Sequence, residues 1–237
     1  SQEKNLAQII LIDDHSTEFD LRELFGPPFL VARTDENVGF IKSCNVGVQL
    51  SKADLVFLLN SDTEAFPGWL DPMVELFERS EKVGVVGPKL VFPRLSLDEQ
   101  YKIQSCGGYY NWAKEPKHRF LGWGHADPRV NKVERVPWVT GAALMTRRDL
   151  FMKLGGLDPS YGFGYFDDPD YCERVKKAGY EVWYQPKSEF IHLVGSSVMT
   201  ASNTEKKQRD AAKRFRQNNI LFNGRWQSKI LDGKNIA

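Results

Sequence analysis

Three short segments of this chain are apolar without interruption: IILI (9–12), LVFLL (55–59) and VGVVG (83–87). A half-exposed strand alternates apolar with polar residues, because successive side chains point to opposite faces. An unbroken apolar run has no polar face to offer to water. Both its faces must be covered, as in a parallel sheet with helices on either side. The segments between the runs supply those helices. Residues 18–25 predict a short helix stopped by Gly26-Pro27-Pro28, 39–51 a longer one, and 72–80 a third that begins at Asp71-Pro72 and turns Leu70, Met73, Val74, Leu76 and Phe77 inward. FLVAR (29–33) reads as one more strand. The expected class is therefore α/β, with a mostly parallel, Rossmann-like central sheet and helices on both faces. It forms a single domain over residues 1–226, followed by a tail at 227–237.

Ligands of such sheets bind beyond the carboxyl ends of the strands. IILI runs into Asp13-Asp14 and LVFLL into Asn60-Ser61-Asp62, so two strands deliver aspartates to that edge. A third acidic feature lies in DPSYGFGYFDDPDYCERVKKAGYEVWYQPKSEFIH (158–192). It holds five acids from Asp158 to Glu173 with no basic residue among them. They surround a Gly-rich loop carrying Tyr161, Phe163, Tyr165 and Phe166. Asp168 reads as a helix N-cap, Pro169 as the first helical residue and Gly179 as the stop. The strand that follows ends in His192. Asp167, Asp168 and Asp170 would thus share one helix mouth. Packing gives no reason to gather that much negative charge; a bound cation, or a proton to be removed, does.

Residues 93–135 are rich in Gly, Trp, Tyr and Pro with weak periodicity, and read as a long loop excursion carrying Trp112 and Trp123 over the site. VPWVTGAALM (136–145) reads as a strand, 147–154 as a helix, and 205–226 as a helix with Ala211, Phe215, Phe222 and Trp226 on one face. The charge balance of 32 basic and 31 acidic residues argues against a protein that coats nucleic acid. No apolar run approaches the ~20 residues of a membrane helix, and SQEKNLAQ does not read as a signal peptide. Cys44, Cys106 and Cys172 are odd in number and far apart, which favours a reducing, cytoplasmic setting, with Cys172 at a helix–sheet interface. The run EKKQRDAAKRFR (205–216) holds six basic and two acidic residues. It suits a solvated helix face, or peripheral contact with anionic lipid at the inner membrane face.

With these residues in place, the chain resembles a family 2 glycosyltransferase of the GT-A fold, from the branch that includes rhamnosyl- and galactofuranosyltransferases. LIDDHST resembles the acidic strand end that holds a nucleotide base. ENVGFIKSCNVG, LLNSDTEAFPGWL, WVTGAALMTRRDLFMKLGGLD and YFDDPDYCERVKKAGYEVWYQP…IHLVGSS follow in the family's order, from about residue 8 to 226. The family normally opens with a strand and helix ahead of the segment that begins this chain. The resemblance therefore implies a sheet short of its usual first strand, in what is expected to be part of a larger multidomain chain.

The resemblance implies a nucleotide-sugar donor, UDP or dTDP, a divalent cation (Mg²⁺ or Mn²⁺), and inverting transfer to a hydroxyl of a glycan or lipid-linked saccharide in polysaccharide biosynthesis. Asp62 and His192 would be the metal ligands, with Asn60 positioning Asp62 or touching the ribose. Read alone, Asn60-Ser61-Asp62 is equally a polar turn. Asp14 would hydrogen-bond the base, and Asn37 and Gly39 would form a phosphate-side turn or an ordinary helix cap. Asp168 would be the general base, with Asp167 beside it. Trp138, Asp170 and Tyr165 would contact the acceptor. A nucleotidyltransferase would need a Gly-rich basic loop near the start, and none is present. The non-catalytic alternative is a nucleotide- or sugar-binding module, or an inactive fragment of a larger glycosyltransferase.

Overall fold

The structure, a computed structural model, describes residues 6–96, 98–193 and 205–230, with side chains of the last stretch from 209. The first part alternates as the apolar runs require: β1 (Ile9–Asp13), α1 (Leu21–Leu24), β2 (Phe29–Arg33), α2 (Phe40–Leu50), β3 (Leu55–Leu59), β4 (Thr63–Ala65), α3 (Leu70–Arg79) and β5 (Val83–Val91). All nine residues of β5 are buried, which is what a strand covered on both faces demands. Its Lys89 is tolerated there because Nζ bonds Glu189 Oε1 and Asn131 Oδ1, each at 2.6 Å. Pro88 sits inside this central strand at the point where pairing with its neighbour shifts register, so no ladder donor is lost.

Residues 93–135 depart from expectation. They carry β6 (Ile103–Ser105), the hairpin β7 (Gly108–Tyr110) and β8 (Pro116–His118), a 3₁₀ turn (Pro128–Asn131) and β9 (Glu134–Arg135). Ile103, Cys106, Tyr110 and Val130 belong to the main core. Strands of two or three residues are too short to show a period, so their burial is invisible to pattern reading. Trp112 is 90 % exposed and Trp123 packs against Phe120 and Arg129; they do not form the expected cover. Of 136–145, the strand β10 begins only at Ala143 and runs to Arg147; the residues before it turn across the sheet edge. Then come α4 (Arg148–Lys153), α5 (Asp167–Lys177), β11 (Glu181–His192) and the C-terminal helix, Glu205–Trp226.

The main sheet has the order β3-β10-β5-β11-β4, with β6 beside β5 and β9 beside β11. β11 is parallel to β5, and β10 is antiparallel to both β3 and β5, so the long strands β3, β5 and β11 all run one way. Their carboxyl ends, and the start of β10, therefore meet at one edge. β1 and β2 form a separate parallel pair. Among the described residues β1 pairs only with β2 and β3 only with β10, leaving each an unpaired edge. α2 packs on β1, with Gly47 against Ile12. No helix of the described residues is long and apolar enough to cross a membrane.

Candidate active site

Asp62 follows β3 and His192 ends β11. The pairing of His192 with Thr63 brings them together, with His192 Nε2 3.1 Å from Asp62 Oδ1. Gln104 on β6 fixes the ring. Its Nδ-side geometry is unambiguous: the amide Nε2 donates to the His192 carbonyl (3.2 Å), so Oε1 accepts from the imidazole Nδ1 (2.7 Å). The Nε2 lone pair is then aimed at a carboxylate oxygen, with Asn60 Nδ2 at 3.4 Å. Two electron-pair donors facing each other at this distance call for a proton or a cation between them. A histidine whose far nitrogen is held by a second residue is how metal-binding imidazoles are oriented. The donor set therefore fits a divalent cation with two protein ligands, the remaining positions falling to water and phosphate. Among the described residues no group of three or more His, Cys, Asp or Glu forms a complete cage. The Gly-Ser-Ser turn after His192 (195–197) lies outside the described residues.

The second acidic group stands at the mouth of α5. The helix starts two residues earlier than expected: Phe166, in the left-handed region (φ 70°), precedes Asp167 as the cap, so Asp168 is not the N-cap. The reason lies in the loop. Tyr165 (φ 72°) and Phe166 are consecutive non-glycine residues at positive φ, which costs about 1–3 kcal/mol each. Buried Asn218 of the C-terminal helix holds the loop in this shape, donating from Nδ2 to the carbonyls of Tyr161 (2.8 Å), Gly164 (2.8 Å) and Tyr165 (3.2 Å).

Three aspartates share this helix mouth with three different fates. Asp170 is fully buried and satisfied, accepting from Arg174 Nε (2.8 Å), Trp226 Nε1 (2.8 Å) and the Tyr161 hydroxyl (3.2 Å). Expected to touch the acceptor, it instead locks α5 to the C-terminal helix. Asp167 is buried, and desolvation, with the Asp168 charge beside it, raises its pKa well above the usual carboxylate range. Asp168 keeps partial exposure. Oδ2 accepts from the Gly141 backbone N–H at 3.0 Å, and the Thr140 hydroxyl adds a bond. Desolvation outweighs these bonds, and its pKa rises to about 6. A helix N-terminus favours carboxylate by a few tenths to about 1 kcal/mol, too little to reverse the burial.

Residues 140–142 tie the two groups together. Gly141 donates to Asp168, while the Ala142 carbonyl accepts from Asn60 N (2.9 Å) just after β3. The β1 end joins from the other side. Asp14 accepts from Val38 N (2.8 Å), Gly39 N (2.8 Å) and the Thr34 hydroxyl (3.2 Å), fixing the Asn37–Gly39 turn ahead of α2. Gly39 has φ 82°, and a Cβ there would stand 2.5 Å from the Phe163 ring, so only glycine fits. The aromatic loop thus leans on this turn. Asn37 is exposed at its tip. Asp13 is buried and structural, bound to Arg33 and Ser16 N.

Two acceptor candidates separate. Trp138 is buried, with Gly108 lying flat against its ring and Nε1 donating to the Tyr109 carbonyl, so it is core. Tyr165 is half exposed beside the mouth. Gln104, Thr140 and Asn218 were missed by sequence reasoning; Asn218 alone left a trace, as a polar residue on the apolar stripe of its helix.

The model of glycosyl transferase family 2 matches residues 1–155. The chain belongs to that family. It is 29 % identical over 93 % of its length to an uncharacterised protein of Sinorhizobium fredii, covering 24 % of that protein. It is 30 % identical, over 59 % of its length and 47 % of the relative, to the N-acetylglucosaminyl-diphospho-decaprenol L-rhamnosyltransferase of Mycobacterium tuberculosis, which places it with the rhamnosyltransferase-like branch. This family 2 chain thus spans about a quarter to a half of these relatives. Its fold matches that of GalNAc-T7 solved with UDP, GalNAc and Mn²⁺, a GT-A glycosyltransferase, with a TM-score of 0.64 at 20 % identity over 79 % of this chain and 38 % of that one.

Proposed function

We propose that this family 2 chain transfers a glycosyl residue from a nucleoside-diphosphate sugar, UDP- or dTDP-linked, to a hydroxyl of a glycan or lipid-linked acceptor, with inversion. The observation that carries this reading is the short bridge at residues 140–142, which links a cation-type pair, Asp62 and His192, to a partly exposed carboxylate with a raised pKa. Asp62 and His192 would hold Mg²⁺ or Mn²⁺, whose charge offsets that developing on the leaving diphosphate. Asn60 and the Asn37–Gly39 turn, with its helix N-terminus, suit the ribose and phosphates. Asp14 spends its carboxylate mostly on that turn and keeps little capacity for the base.

Asp168 accepts the proton of the acceptor hydroxyl as its oxygen bonds the anomeric carbon and the bond to the diphosphate breaks on the opposite face. The bonds from the Gly141 N–H to Oδ2 and from Thr140 orient the Asp168 carboxylate. Burial, with the Asp168 charge beside it, pushes the Asp167 carboxyl well above the usual carboxylate range. The Mn²⁺ and UDP of the GalNAc-T7 structure and the lipid-diphosphate in the mycobacterial relative's name support this choice of donor and acceptor class. The separation of the β1–β2 pair from the main sheet favours a second reading, a nucleotide-binding module without turnover.

Calorimetric titration with UDP and with dTDP, each with Mn²⁺ and with EDTA, tests the proposal. Metal-dependent binding of one nucleotide is expected. Binding of neither nucleotide by the folded chain would sink the donor-site reading.

A further inference from the structure

An exposed aromatic cluster flanks the helix mouth and extends past the acceptor candidate Tyr165 onto the C-terminal helix. Phe163, Tyr165 and Phe215 are 55 %, 49 % and 47 % exposed. Tyr165 meets Phe215 edge-on at 5.8 Å between centroids, and Phe215 packs on buried Phe166 at 5.0 Å. Arg214 lies over the Phe163 ring at 5.9 Å. On a helix, residues 214 and 216 project about 100° to either side of 215, so Phe215 stands between two exposed arginines. Lys213 and Arg209 are exposed within the two turns before Phe215, and Asp210 is the one acid from 209 to 217. Half-exposed rings rimmed by guanidinium groups form a surface with an apolar centre and a positive border.

Such a surface has a physical cost in water, since large apolar side chains are left wet, and monomeric proteins seldom keep one without use. Its charge selects the partner. Aromatic rings suit the boundary between headgroups and acyl chains, and arginines suit the anionic phosphates above it. We infer that this face, made by the 162–166 loop and the first turns of the C-terminal helix, docks on the surface of an anionic lipid bilayer. The loop runs directly into Asp167 and Asp168, so docking sets the catalytic mouth against the leaflet, where the hydroxyl of a lipid-linked acceptor would be presented. The same loop touches the donor-side turn through Phe163 and Gly39. Bilayer docking and the order of the donor turn are thereby carried by one segment.

The test is co-sedimentation of the purified chain with phosphatidylcholine vesicles, with and without one-third phosphatidylglycerol, in the absence of any nucleotide sugar. Its result is therefore separate from that of the glycosyl-transfer reading. Binding is expected only with the anionic lipid, falling steeply with added salt. The double variant Arg214→Glu/Arg216→Glu changes exposed residues, so its melting temperature should hold while its partitioning falls by about 20-fold or more. Phe163→Ser should weaken partitioning by about fivefold at unchanged salt dependence. Three results overturn the inference: no sedimentation of the folded wild type with anionic vesicles, wild-type partitioning by the charge-reversed variant, or light scattering that shows a dimer whose formation hides this face and is lost in Phe163→Ser.

Discussion

The strand-end pair and the helix mouth are both acidic and both lie at the carboxyl edge of the sheet, yet they are built in opposite ways. Asp62 and His192 come from residues next to β3 and at the end of β11, and the register of β4 on β11 sets their distance. The Gln104 amide orients His192, and the Leu193 N–H bond to the Asp62 carbonyl holds the two strand ends together. Asp167 and Asp168 open α5 directly after the left-handed residues Tyr165 and Phe166, and burial is what sets their chemistry. The first arrangement suits holding a fixed positive charge. The second suits accepting a proton, because a carboxylate near pKa 6 is a stronger base than one near 4 and is still ionised at neutral pH. Asp170, two residues on, shows what the same acidic stretch does when every lone pair is used: it becomes a structural anchor.

The largest expected effect is on Asp168. Asp168→Asn should lower kcat by about 10³-fold while nucleotide affinity stays within about threefold, measured by nucleotide release and by calorimetry. The same variant should raise unfolding free energy at pH 7 by about 2 kcal/mol, because a desolvated charge is removed. Retained turnover would break the comparison, since the helix mouth would then be no more than structural.

Next is Asp170→Ala, expected to cost about 3–5 kcal/mol in urea unfolding by stranding Arg174 and the Trp226 N–H. A variant of native stability with reduced acceptor affinity would return Asp170 to the acceptor role expected from sequence.

Asp62→Ala and His192→Ala should each weaken Mn²⁺-dependent nucleotide binding by about 10–100-fold, and Gln104→Leu by about tenfold through the freed imidazole. An equal loss in EDTA would mean the pair contacts the nucleotide directly.

The pH dependence is the smallest effect and sharpens the contrast. As the proposed base Asp168 would act in its ionised form, and burial raises its pKa to about 6. kcat/KM should therefore fall as pH drops through about 6, with half the effect near that value. The stability contribution has the opposite sign. The native state holds this proton more tightly than the unfolded chain, so stability should fall as pH rises from about 4 to 6. Activity that stays flat down to pH 5 would remove Asp168 as the base.

Much of the frame could be read from residue order. β3 lies where LVFLL predicted it, and β1, β2, α2, α4 and the C-terminal helix lie within a residue of their expected spans, because continuous apolar runs and 3.6-residue stripes are local signals. Asp62, His192 and Asp168 were visible because acids at strand ends and helix mouths stand out against packing. The 93–135 segment was not legible, because strands of two or three residues have no period. Trp138 could not be told from a functional aromatic, since core and site both favour a large ring. Asp168 and Asp170 are chemically identical in the sequence and differ only in what surrounds them.

By itself, then, the sequence determined the strand and helix order, the edge that carries the acids and the family resemblance, because each follows from residue type at short spacing. The tertiary structure decided which aspartate is anchored and which is poised, that Gln104 orients His192, that residues 140–142 join the two groups, and that Asn218 holds the strained loop. Those outcomes depend on burial and on partners distant in the chain, such as Gly141 on Asp168 27 residues on and Asn218 on the Tyr161 carbonyl 57 residues back. Desolvation and long-range hydrogen bonds have no local imprint.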